Sequence, residues 1–252
     1  DLISAKALYA EALGARRPMM VLDHHLRIVK GRHPLLEQES IVPLDIELGQ
    51  DFTTLLITGP NTGGKTVALK TVGLFALMAQ AGLFLPAEEA IFPVFSGVYA
   101  DIGDEQSIEQ SLSTFSGHMK NMISIIREAT DRDLVLVDEV CVGTDPTEGA
   151  ALAMAMIEHF YKAHVLTIMT THYSELKTFA YTKDGIENAC VEFDIKTLRP
   201  TYRLLIGIPG ASNAFAISRR LGLSEAIILR AQQLVKEDHA QFEHVVNELE
   251  RE

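Results

Sequence analysis

A glycine-rich segment flanked by a strand pattern and a helix pattern restricts the fold of this chain more than any other feature. The segment fits the G-x-x-x-x-G-K-[ST] pattern of phosphate-binding loops, and its residues are Gly59, Pro60, Asn61, Thr62, Gly63, Gly64, Lys65 and Thr66. Residues 52–58 before it are apolar and β-branched, and residues 64–80 after it have helical spacing. Backbone N–H groups and a helix N-terminus converge on an anion in this arrangement.

This context predicts roles for two side chains of the loop. We expect Lys65 to reach the β- and γ-phosphates of a nucleotide and Thr66 to ligate Mg²⁺. The alternative is an ordinary glycine-rich turn with a solvated lysine, which the two correct flanks disfavour.

Composition and charge exclude several classes of function. The 252 residues are 47% hydrophobic and 22% charged, which is an ordinary globular composition. A formal net charge of −12 argues against a nucleic-acid-binding surface in these residues, because such binding depends on phosphate neutralisation. We find no run long enough to span a bilayer and no signal peptide. Cys141 and Cys190 form no motif, so we expect a reducing, cytoplasmic compartment and no membrane partner.

Two further apolar runs predict buried parallel strands that end in polar residues. Residues 134–137 lead into Asp138 and Glu139, and residues 165–170 lead towards His172. Ligands of open α/β sheets bind at the carboxyl ends of such strands. We expect Asp138 to hold Mg²⁺ through water, Glu139 to activate the attacking water, and His172 to sense the γ-phosphate. Acids or a histidine at a strand end are commonly structural when they stand alone, but here they lie downstream of a phosphate loop.

Three other residues have weaker signals with competing interpretations. His33 precedes a proline, which is typical of a loop histidine without a functional role. Gln106 lies in an acidic loop, where it would orient Mg²⁺ or water. Ser113 precedes a helix predicted over residues 118–129, where Ser113 or Thr114 is most simply an N-cap.

The remaining patterns predict alternating strands and helices. They indicate helices over 2–15, 147–161, 213–220, 224–236 and 239–252, and strands over 26–29, 41–48, 95–100, 189–195 and 200–206.

The order of these motifs resembles that in the ABC-type ATPases. Their residue sequences resemble those of the MutS family more closely. The matching segments are Thr58–Asn61, Gly63–Thr66, Ser113–Phe115, Asp138-Glu139, Thr170–His172 and an entry segment in 31–46. Residues 143–153 and 207–215 resemble the type-two branch of that family. One departure is Val140-Cys141-Val142, where the branch tends to have a leucine, a glycine and a small residue. It removes no catalytic group but puts the packing beyond Glu139 in doubt.

The resemblance implies an α/β fold of the P-loop NTPase type, with a mostly parallel central sheet flanked by helices and with helical extensions. It implies an ATPase with ATP and Mg²⁺ as cofactors. Lys65, Thr66, Asp138, Glu139 and His172 would act in one subunit. Ser113 would reach the γ-phosphate of a partner in a homodimer, and His33 would lie near the adenine.

The resemblance also implies a division of the chain. Residues 1–18 would end a helical core segment, residues 19–236 would form the ATPase domain, and residues 237–252 would start a coiled-coil linker. The helical patterns at both ends indicate a piece of a longer protein. Its clamp and nuclease regions would act on branched DNA, to suppress recombination, or on collided ribosomes.

Alternatives remain at this point. One is a head domain of the mismatch-repair or chromosome-structure type. Another is a nucleotide-gated dimerisation module with little turnover, although Glu139 favours hydrolysis. A membrane transporter subunit would require Leu-Ser-Gly-Gly-Gln, which Leu112-Ser113-Thr114-Phe115 does not match.

Overall fold

The computed structural model of the chain describes residues 1–37, 41–59, 64–103, 111–194, 197, 199–210 and 214–235, with the backbone alone at 111–114. The helices and strands in these residues are α1 (Leu2–Ala12), β1 (Met19–Val21), β2 (Leu26–Gly31), β3 (Leu44–Leu48), β4 (Thr54–Thr58), α2 (Lys65–Gln80), β5 (Glu89–Pro93), β6 (Gly97–Asp101), α3 (Ser111–Glu128), β7 (Asp133–Val137), α4 (Pro146–Lys162), β8 (Leu166–Thr171), α5 (Ser174–Tyr181), β9 (Ile186–Asp194), β10 (Arg199–Ile206) and α6 (Ala214–Arg220).

The chain forms two compact units. The larger one comprises Asp1–Phe193 and Pro200–Gly210, and the smaller one comprises Asp194–Arg199 and Ala211–Glu252. Within the smaller unit, α6 ends near an ion pair in which Arg219 donates to Glu225 at 2.7 and 2.8 Å. Residues 225–235 are helical, whereas the linker predicted over 237–252 lies outside the described residues.

A six-stranded sheet with the order β10-β9-β4-β8-β7-β6 forms the centre of the larger unit. Strand β4 pairs in parallel with both β8 and β9, and β7 pairs in parallel with both β6 and β8. A second sheet with the order β1-β5-β2-β3 lies outside it. The predicted mostly parallel sheet is therefore present, and its parallel strands deliver their carboxyl ends to one edge.

Side chains along the central strands point alternately to the two faces of the sheet, so the core has two layers. On β4, Leu55 and Ile57 pack in a cluster with α2 and the small sheet, whereas Leu56 packs with α3, α4 and α5. Successive strand side chains point to opposite faces, so each face of the sheet buries its own helical layer. Helix α2 is apolar on most sides and packs in the first cluster, where Leu69, Val72 and Phe75 are fully buried.

Several element boundaries differ from the sequence prediction. Strands β1 and β5 and helix α5 were not predicted, and α3 begins at Ser111 instead of His118. A side chain at Gly117 would meet nothing within 4 Å, so this glycine lies on an open face where the helix tolerates it. Ser113 and Thr114 therefore lie inside the first turn of α3, and the N-cap interpretation is wrong.

Among the described residues, the helices lack the length and apolar character needed to cross a bilayer.

Candidate active site

The candidate site lies where β4, β7 and β8 end side by side. The register pairs Thr58 with Thr171 and Val137 with Met169. The residues that follow these strands, namely Gly59, Asp138 and His172, therefore come to the same edge of the sheet. The predicted convergence of the phosphate loop, the acids and the histidine is present in the structure.

The described part of the phosphate loop consists of its first glycine and its helical end. Pro60, Asn61, Thr62 and Gly63 lie outside the described residues. Gly64 is the N-cap residue of α2 and has φ of 90°, a left-handed conformation that favours glycine. The ring of Tyr202 on β10 lies so close that a Cβ at Gly64 would be 3.0 Å from it. The turn into α2 thus depends on a glycine for both its torsion angle and its space.

Lys65 is held inside the site. Its side chain is almost fully buried, and its Nζ donates to the Gly59 carbonyl at 2.7 Å and lies 3.4 Å from His172 Nε2. Burial lowers the pKa of the Lys65 ammonium to about 8, and the nearby carboxylates of Glu139 and Asp138 oppose this shift. A poorly solvated cation beside a phosphate loop is a strong electrostatic partner for a bound anion.

Asp138 accepts two hydrogen bonds from hydroxyl groups on neighbouring elements. Thr66 donates to its Oδ2 at 2.6 Å, and Thr170 donates to its Oδ1 at 2.5 Å. The Thr170 hydroxyl also accepts a hydrogen bond from the Glu139 N–H at 2.8 Å. This single threonine therefore fixes the aspartate and the backbone of the next residue together. The sequence pattern indicates no role for Thr170, because a threonine within an apolar run is typical of a buried strand.

Glu139 and His172 contact each other directly. The distance from Glu139 Oε1 to His172 Nε2 is 2.9 Å, and the Glu139 side chain is only 16% exposed. An ionised carboxylate only accepts, so the ring nitrogen is the donor. Glu139 has φ of 54°, which is uncommon for a residue other than glycine. Backbone strain of this kind clusters at functional sites.

The unusual tripeptide after Glu139 adopts a tight turn. Val140 is buried and its N–H donates to the Thr170 carbonyl at 3.2 Å, while Cys141 has φ of 58°. The Cys141 carbonyl accepts a hydrogen bond from the Tyr173 hydroxyl at 2.7 Å. Burial raises the pKa of the Cys141 thiol to about 11, so this cysteine is not an activated nucleophile. The left-handed conformation also explains why a glycine suits this position.

A cavity of about 320 Å³ opens beside Gly64 and the start of α2. Its lining is mainly apolar, with His33, Glu37, Thr71 and Tyr202 as its polar members; the rest are Gly31, Leu36, Ile41, Val42, Leu44, Gly64, Val67 and Ala68. Burial, followed by the nearby charge of Lys70, lowers the pKa of His33. His33 is thus brought to the phosphate loop from a distant part of the chain.

Two of the predicted residues lie wholly or partly outside the described part of the chain. Gln106 lies outside the described residues, and Ser113 lies in the first turn of α3 with only its backbone described.

A second bonding network, which the sequence analysis missed, ties the start of the phosphate loop to the loop after β10. The buried Thr58 hydroxyl donates to the Ala189 carbonyl at 3.1 Å and accepts from the Gly210 N–H at 2.8 Å. Lys177 on α5 donates to the Gly210 carbonyl at 2.6 Å. A side chain at Gly210 would clash with Thr58 and Cys190, so the close approach requires glycine.

Magnesium fits the residues that are present. Thr66 Oγ1 and an Asp138 carboxylate oxygen lie within 2.6 Å of each other, and both are the hard oxygen donors that Mg²⁺ prefers. The described residues contain no cluster of three or more His, Cys, Asp or Glu side chains able to hold a metal.

Comparison with known proteins agrees with this geometry. Residues 55–238 match MutS domain V, a P-loop ATPase region, so the predicted P-loop α/β fold is confirmed. The chain is similar to Endonuclease MutS2 of Shouchella clausii, with 57% identity over 99% of this chain and 32% of the relative. It is also similar to Endonuclease MutS2 of Geobacillus sp., with 57% identity, and of Acetivibrio thermocellus, with 55%, each over 100% of this chain and 32% of the relative. The chain therefore spans about a third of the length of these curated relatives. Domain V covers most of the chain, which therefore belongs to the MutS family.

Proposed function

We propose that this chain binds Mg-ATP and hydrolyses it as the ATPase head of a MutS type-two protein. The observation that carries the proposal is the contact of Glu139 with His172 beside Lys65, at the mouth of the phosphate loop. A module that only binds a nucleotide has no need for a carboxylate beside the γ-phosphate position.

The nucleotide would lie across the apolar cavity and the phosphate loop. The adenine would enter the apolar cavity near His33, and the phosphates would lie on the loop Gly59, Pro60, Asn61, Thr62, Gly63 and Gly64. Lys65 would contact the β- and γ-phosphates. Thr66 and Asp138, with Gln106, would hold Mg²⁺, which supplies neutralisation of the phosphate charge when bound.

Glu139 would act as the general base of hydrolysis. It would accept a proton from the attacking water while the water oxygen bonds to the γ-phosphorus and the bond to ADP breaks. His172 would hold the carboxylate through Nε2 and interact with the γ-phosphate. The fixed backbone at Glu139 supports this role, because the Thr170 hydroxyl and the Val140 N–H contact hold the turn in one conformation.

We further propose that two copies close around the nucleotide, with Ser113 of one copy contacting the γ-phosphate in the other. The position of Ser113 supports this part of the proposal. It lies in the first turn of α3, where free backbone N–H groups and the helix dipole favour an anion.

The biological role belongs to the longer protein. The similar proteins carry the name endonuclease, and we propose that this chain serves such a protein as the ATPase head that drives its clamp. Branched DNA or collided ribosomes would be bound outside these residues, since the chain has a formal net charge of −12.

The test uses two substitutions with matched controls. Lys65→Ala should weaken ATP binding and abolish phosphate release, whereas Glu139→Gln should retain binding but lower kcat by at least about 100-fold. The exposed Lys120→Ala and Glu175→Gln should behave as the parent. Near-normal turnover in Lys65→Ala would contradict the phosphate-loop assignment. A parent that binds ATP but turns over no faster than Glu139→Gln would favour a nucleotide-gated dimerisation module.

A further inference from the structure

We infer that Asp101, His118 and Asn121 form a positioning cluster that sets where α3 presents Ser113 to the second copy of the chain. The inference rests on the proposed composite site. None of the three residues is placed at the nucleotide, and they act by fixing the helix that carries Ser113.

Asp101 is the centre of the cluster. Its side chain is only 11% exposed, and each carboxylate oxygen has its own partner on α3. His118 Nδ1 lies 2.9 Å from Oδ2, and Asn121 Nδ2 donates to Oδ1 at 2.8 Å. The same Asn121 nitrogen lies 3.3 Å from the Ala100 carbonyl. A buried carboxylate is costly unless its oxygens are hydrogen-bonded, and here both of them are.

Asp101 also belongs to the catalytic edge of the sheet. It ends β6, where it is paired with Val137 of β7. Its carbonyl accepts a hydrogen bond from the Asp138 N–H at 2.9 Å. One residue therefore bonds through its backbone to the predicted Mg²⁺ ligand and through its side chain to α3.

The cluster lies close to the functional end of the helix. His118 and Asn121 are three residues apart and share one face of α3. Further along, Met122 and Ile125 are buried in the core and anchor the helix by apolar packing. Ser113 precedes His118 by five residues, which is about 7.5 Å along a helix axis. The polar cluster therefore begins less than two turns after Ser113 on the same helix.

His118 also contacts the chain where it leaves β6. A Cβ added at Gly103 would be 3.2 Å from His118 Cε1 and 3.7 Å from Nε2. The imidazole ring therefore lies against the backbone that leads towards Gln106. His118 therefore contacts the end of β6 at two points, the Asp101 carboxylate and the backbone at Gly103.

Directional bonding is what distinguishes this cluster from ordinary packing. The apolar contacts of Met122 and Ile125 have no preferred direction, whereas the two hydrogen bonds to the Asp101 carboxylate weaken when distance or angle changes. Helix position matters most if Ser113 must meet a phosphate across a subunit interface, because a displacement of 1 Å at a site is costly to the reaction.

The experiment compares His118→Ala with His118→Asn in the full chain. Asparagine retains a donor at the position of Nδ1, and alanine removes it. His118→Ala should leave the ATP affinity within about twofold of the parent and lower kcat about tenfold, the size expected for a hydrogen bond to a charged group. In the Glu139→Gln background it should raise the dissociation constant of the ATP-dependent dimer by a similar factor.

His118→Asn should recover most of the kcat and of the dimer affinity, which a merely space-filling role would not produce. Asn121→Ala should show a smaller loss of the same kind, and the exposed Lys120→Ala on the same helix should show none. Thermal unfolding of each variant identifies any loss that comes from misfolding.

The outcomes separate this inference from the proposed function. If Glu139→Gln alone forms no ATP-dependent dimer, the composite site itself is wrong. If Glu139→Gln dimerises and His118→Ala in the same background dimerises equally well, the positioning role is wrong. It is also wrong if His118→Asn is as impaired as His118→Ala.

Discussion

The edge of the central sheet and the cavity beside it differ in what they would contribute to the proposed nucleotide site. The edge is a polar hydrogen-bond network, and the cavity is an apolar surface. At the edge, the hydroxyl groups of Thr66 and Thr170 donate to the two oxygens of Asp138 at 2.6 and 2.5 Å. The cavity is lined mainly by apolar side chains, so it offers shape and burial instead. A preformed polar network fixes chemistry, whereas an apolar cavity supplies binding energy in proportion to area. Substitutions at the edge should therefore change kcat, and substitutions in the cavity should change KM.

The largest effect should come from Lys65→Met, which separates stability from activity. Turnover should be lost, yet the protein without nucleotide should be more stable by about 1–3 kcal/mol at neutral pH, because a buried charge is removed. The pKa of Lys65 is about 8 in the folded chain against an ordinary value of 10.5. Between these values the unfolded chain holds more protons, so the stability of the parent should rise with pH in that window.

Chemical unfolding at pH 7.5 and 9.5 measures this difference. The parent should gain stability relative to Lys65→Met at the higher pH, and Lys120→Met should follow the parent. A variant that is less stable than the parent at both pH values would show that the hydrogen bond to Gly59 outweighs the cost of burial.

The next effect concerns the threonine that joins Asp138 to Glu139. Thr170→Val retains the shape but leaves the Glu139 N–H and one Asp138 oxygen without that partner, so kcat should fall about 10–100-fold. Thr167→Val is the matched control, since Thr167 lies on the same strand, is equally buried and donates only to the Val165 carbonyl. Steady-state phosphate release measures kcat for both variants. Equal losses of kcat in Thr170→Val and Thr167→Val would show that a valine at either position on this strand impairs the protein.

The cavity should respond through binding. Ile41→Ala removes an apolar side chain from the cavity proposed to bind the base, so the KM for ATP should rise about 3–10-fold with little change in kcat. Binding of tripolyphosphate, which has no base, should be unaffected. Leu35→Ala is the control, because Leu35 is 79% exposed and does not line the cavity. A loss of tripolyphosphate affinity in Ile41→Ala would mean that cavity and edge are not independent.

The smallest effect should be at Cys141. Cys141→Gly relieves a left-handed conformation but gives up packing and adds unfolded-state entropy, so its stability should stay within about 1 kcal/mol of the parent. Cys141→Val has a branched side chain at the same torsion angle and should cost about 1–2 kcal/mol. Thermal unfolding of the pair measures this, and a Cys141→Val variant as stable as the parent would show that the turn relaxes.

The same comparison explains what the sequence could predict. Lys65, Asp138 and His172 follow strands in a recognisable order, so their meeting at one edge follows from parallel topology. Thr170 was missed because a threonine in a buried strand has the same pattern whether or not its hydroxyl bonds to a carboxylate. The cavity was only implied by a resemblance, because its lining comes from segments as distant as His33 and Tyr202. The start of α3 was predicted too late because serine and threonine ahead of a helical pattern favour an N-cap, whereas here they lie inside the helix.

The composite site is tested by sedimentation of Glu139→Gln at several protein concentrations with and without Mg-ATP. We expect a dimer that forms only with Mg-ATP and that does not form when the same chain also carries Lys65→Ala. A monomer that binds ATP at every concentration would contradict the composite site and the placement of Ser113 in it.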